Sequence, residues 1–265
     1  MWILVENSTS ESACFPQKNL SMMTTYKQFT EADKTMILST NEKTEQNEAL
    51  RWTLEFDQES YHYDSPFLSR FLFETTGRMV SREWEREPRL IGKFRTYIVD
   101  VESAVDERES IIDLFDDDAL TMEYFEALYA RIGGRYRNPI VSLFEELEDL
   151  WRPNLLILDR LTIYPEFRNH DIGLEVITAL IKRLKMGIGL IAIKPYPLQF
   201  DTDDPIERHD LGLDNFAMSK RDATLKLREY YGRLGFVRVP KTPYMVRSAS
   251  RLLPKIASRI PETLR

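Results

Sequence analysis

The chain holds one cysteine, Cys14, and three histidines in 265 residues. A single thiol closes no intramolecular disulfide and builds no cysteine-based metal site, and it is what a reducing compartment permits. His62, His170 and His209 stand apart, without the spacing of metal ligands, so no metal is expected. No apolar run is long enough to span a bilayer. The leading MWILVEN has no basic residue before it and polar residues after it, which makes a poor secretion signal. Positive charge is also short, with a net charge of −7 at neutral pH. Tight nucleic-acid binding needs clustered lysine and arginine. These absences together describe a soluble, cytoplasmic protein with no membrane and no nucleic-acid partner. Internal repeats and low-complexity runs are missing too.

What remains is ample for a packed core, with 43% hydrophobic and 11% aromatic residues. Residues 1–48 are polar and Ser/Thr-rich, and read as partly disordered. Residues 49–247 read as one domain, and 248–265 as a basic tail lying on the surface. Arg51–Phe56 alternates like a strand, Pro66–Glu74 has the spacing of a short amphipathic helix, and Leu90–Val101 is rich in β-favouring residues. Helical spacing near Glu107–Phe115, Thr121–Ile132 and Pro139–Trp151 marks a helical insertion over about 105–151. It is a candidate for substrate recognition, and equally for dimerisation or packing. Asp100–Glu126 carries eleven acidic residues against Arg108 alone, which reads as a solvated helix face or as a rim attracting a cationic substrate. A second insertion, about 201–220, is Asp-rich with Pro205 and Gly212, and reads as a long surface loop of the kind that forms lids.

The centre of the chain is the most informative. Leu155–Ile163 is apolar except for Asp159, Arg160 and Thr162, the mark of a strand buried on both faces. Pro165 cannot donate to a ladder, so the strand ends near Tyr164. Val176, Ile177, Leu180, Ile181 and Leu184 then share one face of a helix that starts about Ile172, followed by a second apolar strand, Leu190–Ile193. The helix start offers unpaired amides suited to a pyrophosphate. An acid inside an apolar strand is costly unless paired, which singles out Asp159 for a role or a salt bridge.

Two stretches carry a family likeness. Leu161-Thr162-Ile163-Tyr164-Pro165-Glu166-Phe167-Arg168-Asn169-His170-Asp171-Ile172-Gly173 falls into register with a motif reading roughly L-x-V-x-P-x-Y-R-G-x-G-I-G. Tyr231, Gly235 and Phe236 match Y-x-x-x-G-F. In this order and spacing they resemble the acyl-CoA-binding core of the GCN5-related N-acetyltransferases. Asn169 and Asp171 stand where that motif has glycine, and a carboxylate at Asp171 would repel a pyrophosphate although it suits a helix N-cap. The resemblance implies a mixed, mostly antiparallel α/β sheet flanked by helices, interrupted by the helical insertion. It implies acetyl-CoA as co-substrate, held by the backbone amides of Leu161, Thr162 and Ile163 and by Arg168, Asn169, His170, Asp171, Ile172 and Gly173. Thr224 stands where relatives have a cofactor-contacting Asn. Tyr231 would donate to the departing thiolate, since a phenol stays protonated at neutral pH, and Asp159 would serve as base. Tyr230, about 100° round the helix from Tyr231, reads as packing.

On this resemblance the function expected is N-acyl transfer, of an acetyl group, to a small-molecule or protein amine, a cationic one among the candidates, with a homodimer among the candidate assemblies. The alternative is a catalytically degenerate binding or assembly module of the same fold. A transferase acting on aminoacyl-tRNA is disfavoured by the acidic balance.

Overall fold

A strand buried on both faces needs a layer of helices on each side, and Leu155–Leu158 is such a strand. The computed structural model describes residues 51–57, 68–82, 87–116, 119–131, 133–144, 150–201 and 205–256, all within one compact unit, Thr35–Arg265. Residues 1–48 lie outside the described part. The seven strands are β1 (Trp52–Phe56), β2 (Leu72–Ser81), β3 (Leu90–Val99), β4 (Leu155–Ile163), β5 (Leu190–Ile193), β6 (Val237–Arg238) and β7 (Met245–Ser248). They form one open sheet in the order β1-β2-β3-β4-β5-β7-β6. Only β4 and β5 run parallel; the other neighbours are antiparallel. The expected mixed, mostly antiparallel α/β sheet flanked by helices is therefore present.

The helices are α1 (Val101–Asp106), α2 (Ile111–Asp116), α3 (Ala119–Leu128), α4 (Asn138–Val141), α5 (Ile172–Leu184), α6 (Pro205–Asp210) and α7 (Lys220–Gly232). The insertion helices α1–α4 cover one face, where Leu114, Phe115, Tyr124, Phe125 and Leu128 pack on Leu155, Ile157, Leu190 and Val246. The insertion is thus a core layer of the domain. Tyr129 ties it down by donating to the Pro153 carbonyl at 2.6 Å, and Tyr136 does so to Arg152 at 3.1 Å. Five of its acids have partners: Asp100 caps α1 through Ser103, Glu102 meets Arg152, Glu107 and Glu109 meet Arg70, and Glu123 meets Lys194. On the opposite face α5 sends Val176, Ala179 and Leu180 toward Trp52, Leu54 and Phe94. It sends Leu174, Ile177 and Ile181 toward Leu156, Leu158 and Ile191.

Two local expectations need correction. The helix read over Pro66–Glu74 is a 3-10 turn, Leu68–Phe71, running into strand β2. Pairing with β1 on one side and β3 on the other outweighs a short helical pattern. Within the stretch read as a loop, Pro205–Asp210 forms α6 and Leu213–Asn215 a 3-10 turn, with Leu211 and Leu213 buried. Where the tail begins, Ala249 donates its amide to Gly189 at 3.0 Å and the buried Arg247 binds the carbonyls of Leu234 and Arg251, while Arg251 and Leu252 are exposed. Among the described residues no helix is long and apolar enough to cross a membrane.

Candidate functional site

The site begins with one extra residue. Arg95 of β3 faces Arg160 of β4, but the next residue, Thr96, faces Leu158, so Asp159 has no opposite number and forms a β-bulge. Side chains alternate along a strand, and one inserted residue exchanges the faces. Leu156 and Leu158 point to α5 before the bulge, and Leu161 and Ile163 do so after it. The bulge also coincides with the end of β5, whose last residue, Ile193, pairs with Leu158. Beyond that point β4 runs on alone toward Ile163, and a cleft of about 590 Å³ opens between the strands.

Tyr164 donates its amide to the Ile91 carbonyl at 2.9 Å, continuing the β3–β4 ladder. Alternation of antiparallel bonds then turns the backbone groups of Arg160 and Thr162 toward β3, and those of Leu161 and Ile163 toward the cleft. The expectation for the Thr162 amide is corrected accordingly: it is engaged in the sheet. The Ile163 carbonyl accepts from Arg168 Nε at 2.7 Å.

The turn after β4 keeps a glycine-like path without glycine. Asn169 has φ 66° and Asp171 φ 59°, the left-handed region that Asn and Asp tolerate better than other residues. These are the two positions where the motif has Gly. The Asp171 carbonyl accepts from the amides of Leu174 at 2.9 Å and Glu175 at 3.2 Å. Its carboxylate makes no cap bond to the helix. Instead Arg233 donates to it with two nitrogens, at 2.6 and 2.7 Å. The N-cap expected of the Asp171 side chain is replaced by this pair, because a residue in the left-handed conformation aims its side chain away from the first-turn amides. The amides of Ile172 and Gly173 have no hydrogen-bond partner among the described residues. Tyr230 fills the space beside them: a Cβ placed on Gly173 would lie 2.7 Å from its hydroxyl oxygen. Burial pushes the Tyr230 hydroxyl well above its ordinary pKa, and Tyr231 and Asp171 add to the effect. Tyr230 is therefore part of the site, beyond the packing role read from sequence.

Arg168 does not stand free for a phosphate. It bonds the carbonyls of Ile163 and Leu211, the second at 2.7 Å, and lies 5.2 Å from the Phe216 ring centre. Burial lowers its pKa, opposed by Glu166. Together with Arg160, which meets Asp201 at 3.2 Å and Glu207 at 3.1 Å, it fastens residues 205–218 beside the cleft.

Asp159 is held by Arg95 Nε at 2.6 Å, and its side chain is only 9% exposed. The pairing answers the cost of an acid in an apolar strand. Asp159→Asn should lower stability by about 1 kcal/mol, read from urea unfolding, because a charge-assisted bond is lost beside a partly solvated arginine. Unchanged stability would return Asp159 to the role of an uncommitted base.

Tyr231 lines the cleft beside Leu158, Asp159 and Ile193, and burial pushes its pKa up to about 12. Thr224 turns its hydroxyl back to the Lys220 carbonyl at 2.7 Å. The α7 residues that face the cleft are Ala223, Lys226, Leu227, Tyr230 and Tyr231, so Thr224 is corrected to a position off the lining. His170 is also off it. Among charged lining residues Arg95, Arg160, Arg168, Lys194 and Lys226 outnumber Asp159 and Asp171, and of the described acids of 100–126 Glu123 approaches the lining by its pair with Lys194. Among the described residues no group of three or more His, Cys, Asp or Glu is placed to hold a metal ion.

Fold and site thus define an α/β protein with a cleft beside a bulge, where β5 ends and β4 runs on. No family model matches the chain, and neither a curated protein nor a solved structure does.

Proposed function

We propose that the chain is an acyl-CoA-dependent N-acyltransferase of the GCN5-related type, moving an acetyl or longer acyl group to a small-molecule or protein amine. The observation that carries this reading is the free edge of β4: the backbone groups of Leu161 and the amide of Ile163 face a cleft that continues to the unpaired amides of Ile172 and Gly173. An extended chain bearing amides could pair along that edge and leave a phosphate at the helix start. The left-handed Asn169 and Asp171 supply the second support, since they keep the turn the motif requires. The bound thioester would supply an activated acyl group; the chain would supply the edge that positions it, Tyr231 as donor toward the leaving sulfur, and a partly closed cleft.

The fit is incomplete at the phosphate end. Asp171 with Arg233, and Tyr230 beside Gly173, already border the amides. That arrangement favours a second reading, a binding or assembly module without acyl-CoA turnover. Calorimetric titration with acetyl-CoA separates the two, followed by thiol release over a panel of amines. Measurable binding with thiol release supports the transferase. A folded protein that binds no CoA species leaves the module.

A further inference from the structure

The cleft has an apolar character that a two-carbon acyl group does not use. Leu161 and Ile163 of β4, Leu198 after β5, Phe216 and Met218 of the stretch 205–218, and Leu227 of α7 all line it. Each retains some accessible surface, and Phe216 is 44% exposed. Single exposed apolar residues are ordinary, whereas half a dozen gathered around one concavity mark a surface that a ligand covers. The stretch 205–218 is itself built for permanence: Leu211 and Leu213 are buried, and Arg160 and Arg168 bind it. At the rim the charge is of the other kind. Lys226 reaches the cleft without an acidic partner among the described residues, and the Arg168 guanidinium is met by carbonyls.

We infer that the cleft takes an amphiphilic anion with a medium-length alkyl chain, the chain lying against the wall formed by Leu198, Phe216, Met218 and Leu227 and the anionic end toward Lys226. The inference rests on the acyltransferase reading for one of its two sources, a medium-chain acyl-CoA thioester; the other source is the free fatty acid. A chain buried in such a wall gains about tenfold in affinity for every two methylenes removed from water.

The full-length protein is titrated with acetyl-CoA, octanoyl-CoA and octanoate, alongside Phe216→Ala and Met218→Ala, with folding checked by circular dichroism. Octanoyl-CoA should bind at least about tenfold more tightly than acetyl-CoA, and either variant should reduce that ratio. Equal affinity for the two thioesters overturns the inference and leaves the transferase reading standing, the apolar wall then serving the thioester's common arm. Octanoate binding without any CoA binding keeps the alkyl-chain site and removes the transferase reading. No binding of any of the three removes both.

Discussion

Asp171→Gly should bind acetyl-CoA about ten- to a hundredfold more tightly than the parent. In the parent the Asp171 carboxylate and the Arg233 guanidinium form a two-point pair, with Arg233 40% exposed. A phosphate arriving at the Ile172 and Gly173 amides meets a nearly neutral partner. Without the carboxylate, the same arginine is a free cation at the mouth of the helix. One unit interaction at about 4 Å is worth roughly 1 kcal/mol in water and about 4 at an effective dielectric of 20. Solvent around Arg233 favours the lower half of that range, which is one to two decades in affinity. Stability should change little, since the exposed pair contributes about 1 kcal/mol or less. Glycine at φ 59° relieves strain of about 1 kcal/mol. Asp171→Asn removes the charge but keeps a residue that tolerates this backbone. Tightening by both variants, fading as salt rises, supports a phosphate site governed by charge. Tightening by glycine alone assigns the effect to the backbone. No change in either, with binding intact, places the phosphate elsewhere. The reverse substitution, Arg233→Met, should weaken binding, because it leaves the carboxylate unanswered.

The pair at the centre of that prediction shows where sequence reading stops. Asp171 and Arg233 are sixty-two positions apart, and neither has a local pattern that names the other. Elements whose stability is local were legible: the apolar run of β4 and the strand β5 have the expected bounds, Leu155–Ile163 and Leu190–Ile193, and α5 starts at Ile172. Elements that exist through pairing were not. β6 is two exposed residues paired with β7, and β7 carries a buried arginine, Arg247, satisfied by the carbonyls of Leu234 and Arg251. That residue hides a strand from any pattern of apolar alternation. In 201–220, Asp, Pro and Gly look like loop chemistry, yet Pro205 opens a helix, a position it suits. The bulge had a trace in the sequence, because Asp159-Arg160 interrupts an apolar strand. Its consequence, the exchange of faces that brings Leu161 and Ile163 toward α5, needed the register. The acidic stretch shows the opposite case: a conspicuous charge run of which Asp100 serves as a helix cap and Glu102, Glu107 and Glu109 answer arginines.

Tyr231→Phe should lower turnover by about a hundredfold while leaving acetyl-CoA affinity near the parent value, since only a hydroxyl is removed. In amide formation the amine nitrogen attacks the thioester carbon, the carbon–sulfur bond breaks, and the electron pair stays on sulfur. The amine's surplus proton goes to solvent or a base. Tyr231 lies in the cleft wall, and burial raises its pKa to about 12. An ordinary thiol sits near 8.5, so full proton transfer from this phenol to the thiolate is uphill by about 3.5 units, or roughly 5 kcal/mol. On the acyltransferase reading the hydroxyl would act as a fixed hydrogen-bond donor to the charge developing on sulfur, with the proton that finally settles there coming from solvent. Loss of one such donor typically costs about a hundred- to a thousandfold. The pH profile carries the sign of this assignment. Tyr231 stays protonated below about pH 11, so it contributes no falling limb between pH 6 and 10. Any rise in rate across that window belongs to the amine losing its proton. Tyr230→Phe is the comparison, because its hydroxyl lies beside Gly173 at the helix start; it should alter affinity more than turnover. A Tyr231→Phe enzyme that turns over like the parent, with chemistry limiting, would make this tyrosine a wall residue packed against Tyr230 and Phe236. An unaltered parent profile that nevertheless falls with a midpoint near pH 9 would assign proton donation to a different group.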